Sequence, residues 1–324
     1  MFAKIPGINV FENDGTGTTI GIGGRGLNPN RISNFNTRQN GYDISADALG
    51  YPESYYTPPT EAIERIEILR GAAALQFGTQ FGGMINYKFA KPKENKKISS
   101  DFRQTIGSYG FYNSFNKLSG THKKVSYTTF YQYKSYKGWR ENSQLNSHNA
   151  FASISYQATN KLQLNADYTF LTYLAQQPGG LTDKQFQLDP SIVTRTRNWF
   201  KVNWNLISVS VNYSLSESSK LNANAFGLMA SRDALGFLGR IDRPDIGGTN
   251  RNLLSDNYLN HGVEMRYLKR YKLFDKNSHF LVGLRYYKGQ TTRKQGSADS
   301  SNKANFNFLY PTNLDHSSYL FPSQ

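Results

Sequence analysis

The chain has 324 residues and no cysteine, so disulfides, thiolate metal sites and cysteine nucleophiles are excluded. No apolar run approaches the roughly 18 residues that a spanning helix needs. Mean hydropathy is −0.61, which excludes a helical membrane protein. Acidic residues are scarce against basic ones, 23 against 38, giving a formal net charge of +15. That surplus would fit nucleic-acid binding. However, Lys and Arg are scattered and collect in candidate loops, and no basic helix, zinc-finger spacing or RNP-like motif occurs, so no nucleic-acid partner is expected. Only five histidines are present (His122, His148, His261, His279, His316), dispersed without metal-ligand spacing, and no Gly-x-Ser-x-Gly elbow occurs. Neither an enzyme nor a metal or cofactor site is expected.

Aromatic residues, by contrast, are abundant at 14%, with 22 Tyr and 21 Phe. Such a content is high for a soluble domain and typical of β-barrels with aromatic girdles. From about Lys97 onward the pattern has period two. Leu162, Leu164, Ala166, Tyr168 and Phe170 alternate with Lys161, Gln163, Asn165, Asp167 and Thr169. Val209, Val211, Tyr213 and Leu215 alternate in the same way with Ser208, Ser210, Asn212 and Ser214, as do Phe280, Val282, Leu284 and Tyr286 with polar neighbours, blurred by Leu281 and Tyr287. Alternation alone fits a soluble sandwich or a membrane barrel. Nine strands are expected, near 98–107, 112–120, 124–134, 147–157, 161–173, 200–215, 220–230, 260–271 and 278–288. Short turns (120–123, 158–160, 216–219, 274–277) alternate with longer connections (134–146, 174–199, 230–259), apart from the short 108–111. Long loops confined to one end suit a barrel, and a sandwich has no reason for them.

The stretch Gly50 to Pro92 joins a Tyr- and Pro-rich loop (Tyr51 to Pro59), a short amphipathic segment (Thr60 to Arg70) and a Gly-punctuated strand (Gly82 to Phe89). Pro58-Pro59, the run Ala62 to Gly71, Phe77-Gly78 and Gly82-Gly83-Met84-Ile85-Asn86 together resemble the plug domain of TonB-dependent outer-membrane receptors. Ile5 to Val10 and Ile20 to Leu27 (IGIGGRGL) resemble two further plug segments. The letters Gly21-x-Gly23-x-x-Gly26 also fit a dinucleotide-binding fingerprint, but Asn28-Pro29-Asn30 opposes the helix that fingerprint needs. The resemblance implies an all-β membrane protein with a mixed α/β plug over residues 1–92 and an antiparallel transmembrane β-barrel over 97–324. Since the family's barrel has 22 strands and nine are expected, the chain is read as a fragment. It would lack the N-terminal TonB box and later barrel strands, and would stop inside an external loop.

Further implications follow from that family. Ligand is captured by the plug apex and external loops, and the energy-transducing TonB complex pulls on the TonB box, so no ATP site is expected. Loops rich in Arg suit the anionic surface of a Gram-negative outer membrane and an anionic chelate. Candidate ligand groups are Arg31, Asn34, Asn36 and Arg38, with Tyr51, Tyr55 and Tyr56 as walls, and Arg195, Arg197, Arg240, Arg243 and Arg251 from the loops. Guanidinium groups bind carboxylates bidentately, although each of these arginines could instead structure its loop. Glu64, Arg65, Glu67 and Arg70 are expected either to pair with the barrel wall or to stay solvated. Loop segments 175–183, 197–200 and 236–241 resemble ferric dicitrate and related siderophore receptors. A ferric chelate is therefore the expected ligand, with outer-membrane lipid around the barrel. The alternatives are a receptor of this fold importing cobalamin or an oligosaccharide, and a non-transporting barrel.

Overall fold

The computed structural model describes residues 5–12, 14–24, 26–29, 35–46, 55–77 and 82–321. β1 (Ile8–Glu12) and β2 (Ile20–Gly24) form a hairpin. β3 (Phe35–Gln39), β4 (Tyr42–Asp43), β5 (Ile63–Leu69) and β6 (Gly83–Phe89) form a mixed sheet in the order β4-β3-β6-β5, with β3 parallel to β6. The Thr60 to Arg70 segment is thus a short 3-10 turn, Thr60–Ala62, leading into an edge strand. The glycines of IGIGGRGL stand in and just after β2 rather than at the start of a helix, and the α-carbons of Gly21 and Gly23 lie against the backbone of Pro29 and Leu27. That close approach, rather than a phosphate cradle, accounts for them.

The rest of the chain is one antiparallel sheet in strict sequence order: β7 (Ser99–Gly107), β8 (Phe111–His122), β9 (Val125–Tyr136), β10 (Leu145–Thr159), β11 (Leu162–Gln176), β12 (Trp199–Ser216), β13 (Ser219–Gly236), β14 (Arg251–Leu273), β15 (Lys276–Ala298) and β16 (Asp315–Phe321). Among the described residues β7 and β16 do not pair with each other, so this wall is an open, partial barrel. Two-residue turns close one end, and at the other end lie 108–110, 137–144, 177–198, 237–250 and 299–314. The expected placement of long loops at a single end is observed.

Two expectations need correction. The wall has ten strands, not nine, and residues 315–321 are a strand where a loop was expected. β14 also begins at Arg251 and β15 runs to Ala298, which shortens the expected 230–259 loop to 237–250. The cause is the outer surface. Toward the long-loop end the outward positions become Ser255, Asn257, Thr292 and Lys294, so the polar–apolar contrast fades while the backbone ladder continues through Asp256↔Arg293 and Leu253↔Gly296.

The alternation assigns the two faces. Outward positions Leu164, Tyr168, Ile207, Val209, Leu259, Val263, Val282 and Leu284 are exposed and apolar. The opposite parity, including Asp167, Thr169, Trp204, Leu206, Ser208, Asn260 and Glu264, is buried beneath the N-terminal segment. An apolar outside over a polar inside is the pattern of a membrane barrel and the inverse of a soluble sandwich. The blur at Tyr287 resolves the same way, because it faces inward with its ring 6.3 Å from that of Phe226.

Apolar packing holds the plug sheet to the wall. Phe35, Ile44, Tyr56, Ile85 and Tyr87 share one cluster with Leu171, Trp204, Leu206, Phe226 and Leu228. Phe89, at the end of β6, packs edge-on to Phe151 with centroids 4.9 Å apart and tilts against Phe130 at 5.8 Å. Gly83 opens β6 at φ +105, and a β-carbon there would collide with the Leu69 carbonyl, so only glycine lets β5 and β6 join at that point.

Candidate functional site

The plug meets the wall through two charged layers. In the lower one, Arg38 of β3 is fully buried and donates from Nη1 and Nη2 to the two Glu264 carboxylate oxygens at 2.8 and 2.5 Å. Its Nε donates to Asn36 Oδ1 and its Nη1 also to the Gly41 carbonyl at 2.8 Å. Glu264, itself buried, accepts from Arg266 at 2.6 Å and lies 3.3 Å from Arg285. Arg285 donates to Asp43 at 2.9 Å, and the Asn36 side-chain amide donates to the same carboxylate at 2.8 Å. Burial pushes the Asp43 carboxyl up, but Arg285 and Arg38 outweigh it and hold the group below its ordinary range. The guanidinium groups of Arg38 and Arg266 also lie over the Phe77 ring, at 4.8 and 4.4 Å. The layer thus joins three cations and two carboxylates across the interface.

The upper layer lies nearer the long loops. Cross-strand register sets Tyr173, Val202, Arg232, Asp256 and Arg293 side by side on β11 to β15. Asp256, fully buried, accepts from Arg232, from Arg293 at 2.6 and 3.0 Å, and from the Tyr258 hydroxyl at 3.1 Å. The plug enters through Tyr55, whose hydroxyl accepts from Arg232 at 3.0 Å and whose ring lies 5.6 Å from Phe200. Tyr56 turns the other way and donates to Gln39 Oε1 at 2.6 Å. Burial pushes its hydroxyl far above the ordinary tyrosine range.

Above these layers, arginines organise the loops. Arg195, buried, donates to the carbonyls of Thr194, Arg243, Gly239 and Arg240 at 2.7–2.9 Å. Arg197 forms a bidentate pair with Asp245 at 2.9 and 2.7 Å and reaches the carbonyls of Thr249 and Ser300. Hydrogen bonding within that pair lowers the Asp245 carboxyl and raises the Arg197 guanidinium. Arg251 binds the Asp299 carboxylate and donates to the carbonyls of Asp299, Lys303 and Arg197. Arg240 has a 74% exposed side chain that, among the described residues, pairs with Asp242 at 3.0 Å, and Arg243 is exposed.

The expected ligand set therefore divides. Arg31, Asn34 and Tyr51 lie outside the described residues. Asn36, Arg38, Tyr55 and Tyr56 are plug groups engaged with the wall or with each other, and Arg195, Arg197 and Arg251 are engaged with loop backbone and carboxylates. Arg240 and Arg243 alone of the described arginines in that set face solvent. Of the two expectations for Glu64, Arg65, Glu67 and Arg70, the solvated one fits. Arg65 pairs with Glu64 and Glu67 at 3.6 and 2.9 Å, and Arg70 donates to the Pro6 carbonyl at 3.0 Å. Contacts to the wall come instead from Arg38, Asn40, Asp43 and Glu61, whose carboxylate accepts from Asn113 at 2.7 Å. Sequence reasoning missed Arg232, Asp256, Glu264, Arg285 and Arg293. The available signal was a charge at an inward position of an otherwise alternating strand, as with Glu264 between Val263 and Met265.

Residues 1–84 match the family model described as the TonB-dependent receptor plug domain. Solved structures similar to the chain include the ferric citrate transporter FecA in its unliganded form, at 20% identity and a TM-score of 0.79, covering 98% of this chain and 49% of that one. The ferripyoverdine receptor of the outer membrane of Pseudomonas aeruginosa, bound to ferripyoverdine, aligns at 12% identity and a TM-score of 0.73, covering 97% and 45%. BauA, the ferric preacinetobactin receptor from Acinetobacter baumannii, aligns at 12% identity and a TM-score of 0.72, covering 96% and 47%. The chain spans about half the length of these receptors.

Proposed function

We propose, for a chain with a TonB-dependent receptor plug over residues 1–84 and the fold of the siderophore receptors over nearly its whole length, that the protein is an outer-membrane receptor for active uptake of an anionic ferric chelate. Ferric dicitrate is the first candidate and another siderophore the second. The observation that carries this reading is the cationic mouth. Exposed Arg240 and Arg243 stand at the long-loop end, beyond a layer in which Arg232 and Arg293 both bind Asp256. Guanidinium forks match polycarboxylate oxygens, and a site of this sign repels cationic nutrients. Arg31, Asn34 and Tyr51 are proposed as further ligand groups. Residues 1–92 act as the plug and 97–324 as part of the barrel.

A folded stopper held by the bidentate Arg38–Glu264 pair and by Arg285–Asp43 suits gated import better than a passive pore. In the proposed cycle, chelate binds from outside, and TonB pulls on a segment N-terminal to the plug. The ion pairs to the wall then rearrange to open a path, with no ATP site required in this chain. Titration of the whole protein with ferric citrate tests the reading. Saturable binding that falls about ten- to hundredfold on loss of one charged bidentate contact supports it. Binding of cobalamin or an oligosaccharide instead would replace the ligand class and leave the import fold standing.

A further inference from the structure

The arginines of the loops do two different jobs. We infer that Arg140, Arg195, Arg197 and Arg251 are positioning residues that tie four external loops into a single unit, and that this unit presents Arg240 and Arg243 as the contacts for an anionic chelate. The inference rests on the import reading for the identity of the ligand and on the structure for the coupling.

Each link crosses between loops. Arg140, in loop 137–144, donates to the carbonyls of Gly179 and Ile192 in loop 177–198, and the side-chain amide of Asn142 donates to the Arg195 carbonyl at 2.7 Å. Arg195 then holds three carbonyls of loop 237–250, those of Gly239, Arg240 and Arg243. Arg197 bridges the same loop, through Asp245 and Thr249, to Ser300 in loop 299–314. Arg251 closes the circuit by binding Asp299, Lys303 and the backbone of Arg197. Backbone bonds run the same way, as from Asp245 N to the Thr194 carbonyl at 2.9 Å.

These guanidinium groups are poor candidates for ligand contacts. Arg195, Arg197 and Arg251 are buried, and a chelate could take one only by stripping a donor from several carbonyl acceptors at once. Arg240 differs. Its partner Asp242 is an exposed neighbour two residues away, so exchanging that carboxylate for one on the ligand is close to even. Arg195 grips the backbone at positions 239, 240 and 243, which fixes where the two exposed guanidinium groups start and reduces the ordering cost of binding.

The test compares Arg197→Gln, Arg195→Gln, Arg240→Gln and Arg243→Gln in the whole protein, by amide hydrogen exchange of the loops and by ferric citrate titration. Arg197→Gln should raise exchange at least tenfold in 237–250 and 299–314 together, and Arg195→Gln in 237–250 and 177–198. Arg240→Gln and Arg243→Gln should each weaken ferric citrate tenfold or more with exchange unchanged. Exchange that rises only in the loop carrying the substitution overturns the coupling. Lower affinity in Arg197→Gln with unaltered exchange makes Arg197 a ligand contact and overturns the division of labour. If the unmodified protein binds no ferric citrate, the proposed ligand and its two contacts fall, while the exchange result still decides whether the loops are one unit.

Discussion

Removing the charge of Glu264 should loosen the plug more than any other single change in the lower layer. The carboxylate is 2% exposed and holds Arg38 through two hydrogen bonds, Arg266 through one and Arg285 at 3.3 Å. With Glu264→Gln, Asp43 is the carboxylate left, among the described residues, to face the three guanidinium groups of this layer. Breaking a buried pair by removing one partner costs about 3–5 kcal/mol, chiefly because the remaining charge is buried without compensation. At about 1.4 kcal/mol per power of ten, the equilibrium for local opening of the plug should rise by roughly two to three and a half powers of ten. Hydrogen exchange of the amides of β3 and β6 in the whole protein measures it, with the amides of β10 to β13 as the internal control. The double variant Arg38→Gln with Glu264→Gln should lose less than the sum of the singles, because each single strands the other's partner. Protection at β3 within threefold of the unmodified protein would refute the clamp.

Three further outcomes follow from local geometry. Gly83→Ala forces a β-carbon onto the Leu69 carbonyl at φ +105, so it should cost at least about 1–3 kcal/mol and speed proteolysis between residues 60 and 90; unchanged cleavage argues against the strain. Phe274 and Asp275 occupy the left-handed region at φ 48 and 60, so Phe274→Asn should raise the stability of the β14–β15 hairpin by about 1 kcal/mol, read as slower exchange near the turn, and faster exchange would count against it. Asp245 lies below its usual range through its bond to Arg197, and Asp299 is left at about 2 once the hydrogen bonds from Asn305, Ser301 and Arg251 outweigh burial. Depressed carboxyls contribute stability above the unfolded range of about 4 and lose it as pH falls through the folded values, so exchange of 237–250 and 299–314, corrected for intrinsic rates, should stay flat from about pH 7 to 4.5 and rise below about pH 3. A rise near pH 6 would contradict it.

The wall was legible because its chemistry is periodic. Where the outside is apolar, as from Leu259 to Tyr267, each residue reports its face, and the strands fall where alternation places them. Beyond Asn257 the outside turns polar and the signal disappears, although Arg251 to Asp256 remain in the ladder, and β16 is too short and polar to alternate visibly. The plug was legible from ordered motifs, whose glycines mark close backbone approaches such as Gly83 on Leu69. The site was harder. Arg195, Arg197 and Arg240 carry the same side chain in neighbouring loops, and only the fold distinguishes a guanidinium spent on carbonyls from one left in solvent. Glu264 and Arg38 are 226 residues apart, a pairing that no local pattern encodes.

Import is the central claim, and iron uptake tests it directly. Cells of a Gram-negative host that lack their own ferric-chelate receptors and express the whole protein should take up radioactive iron supplied as ferric citrate or another siderophore. Uptake should saturate, require the proton gradient and fall at least tenfold in Arg240→Gln. Absence of uptake for every ferric chelate offered, or uptake that persists after the gradient is collapsed, would contradict active import by this protein.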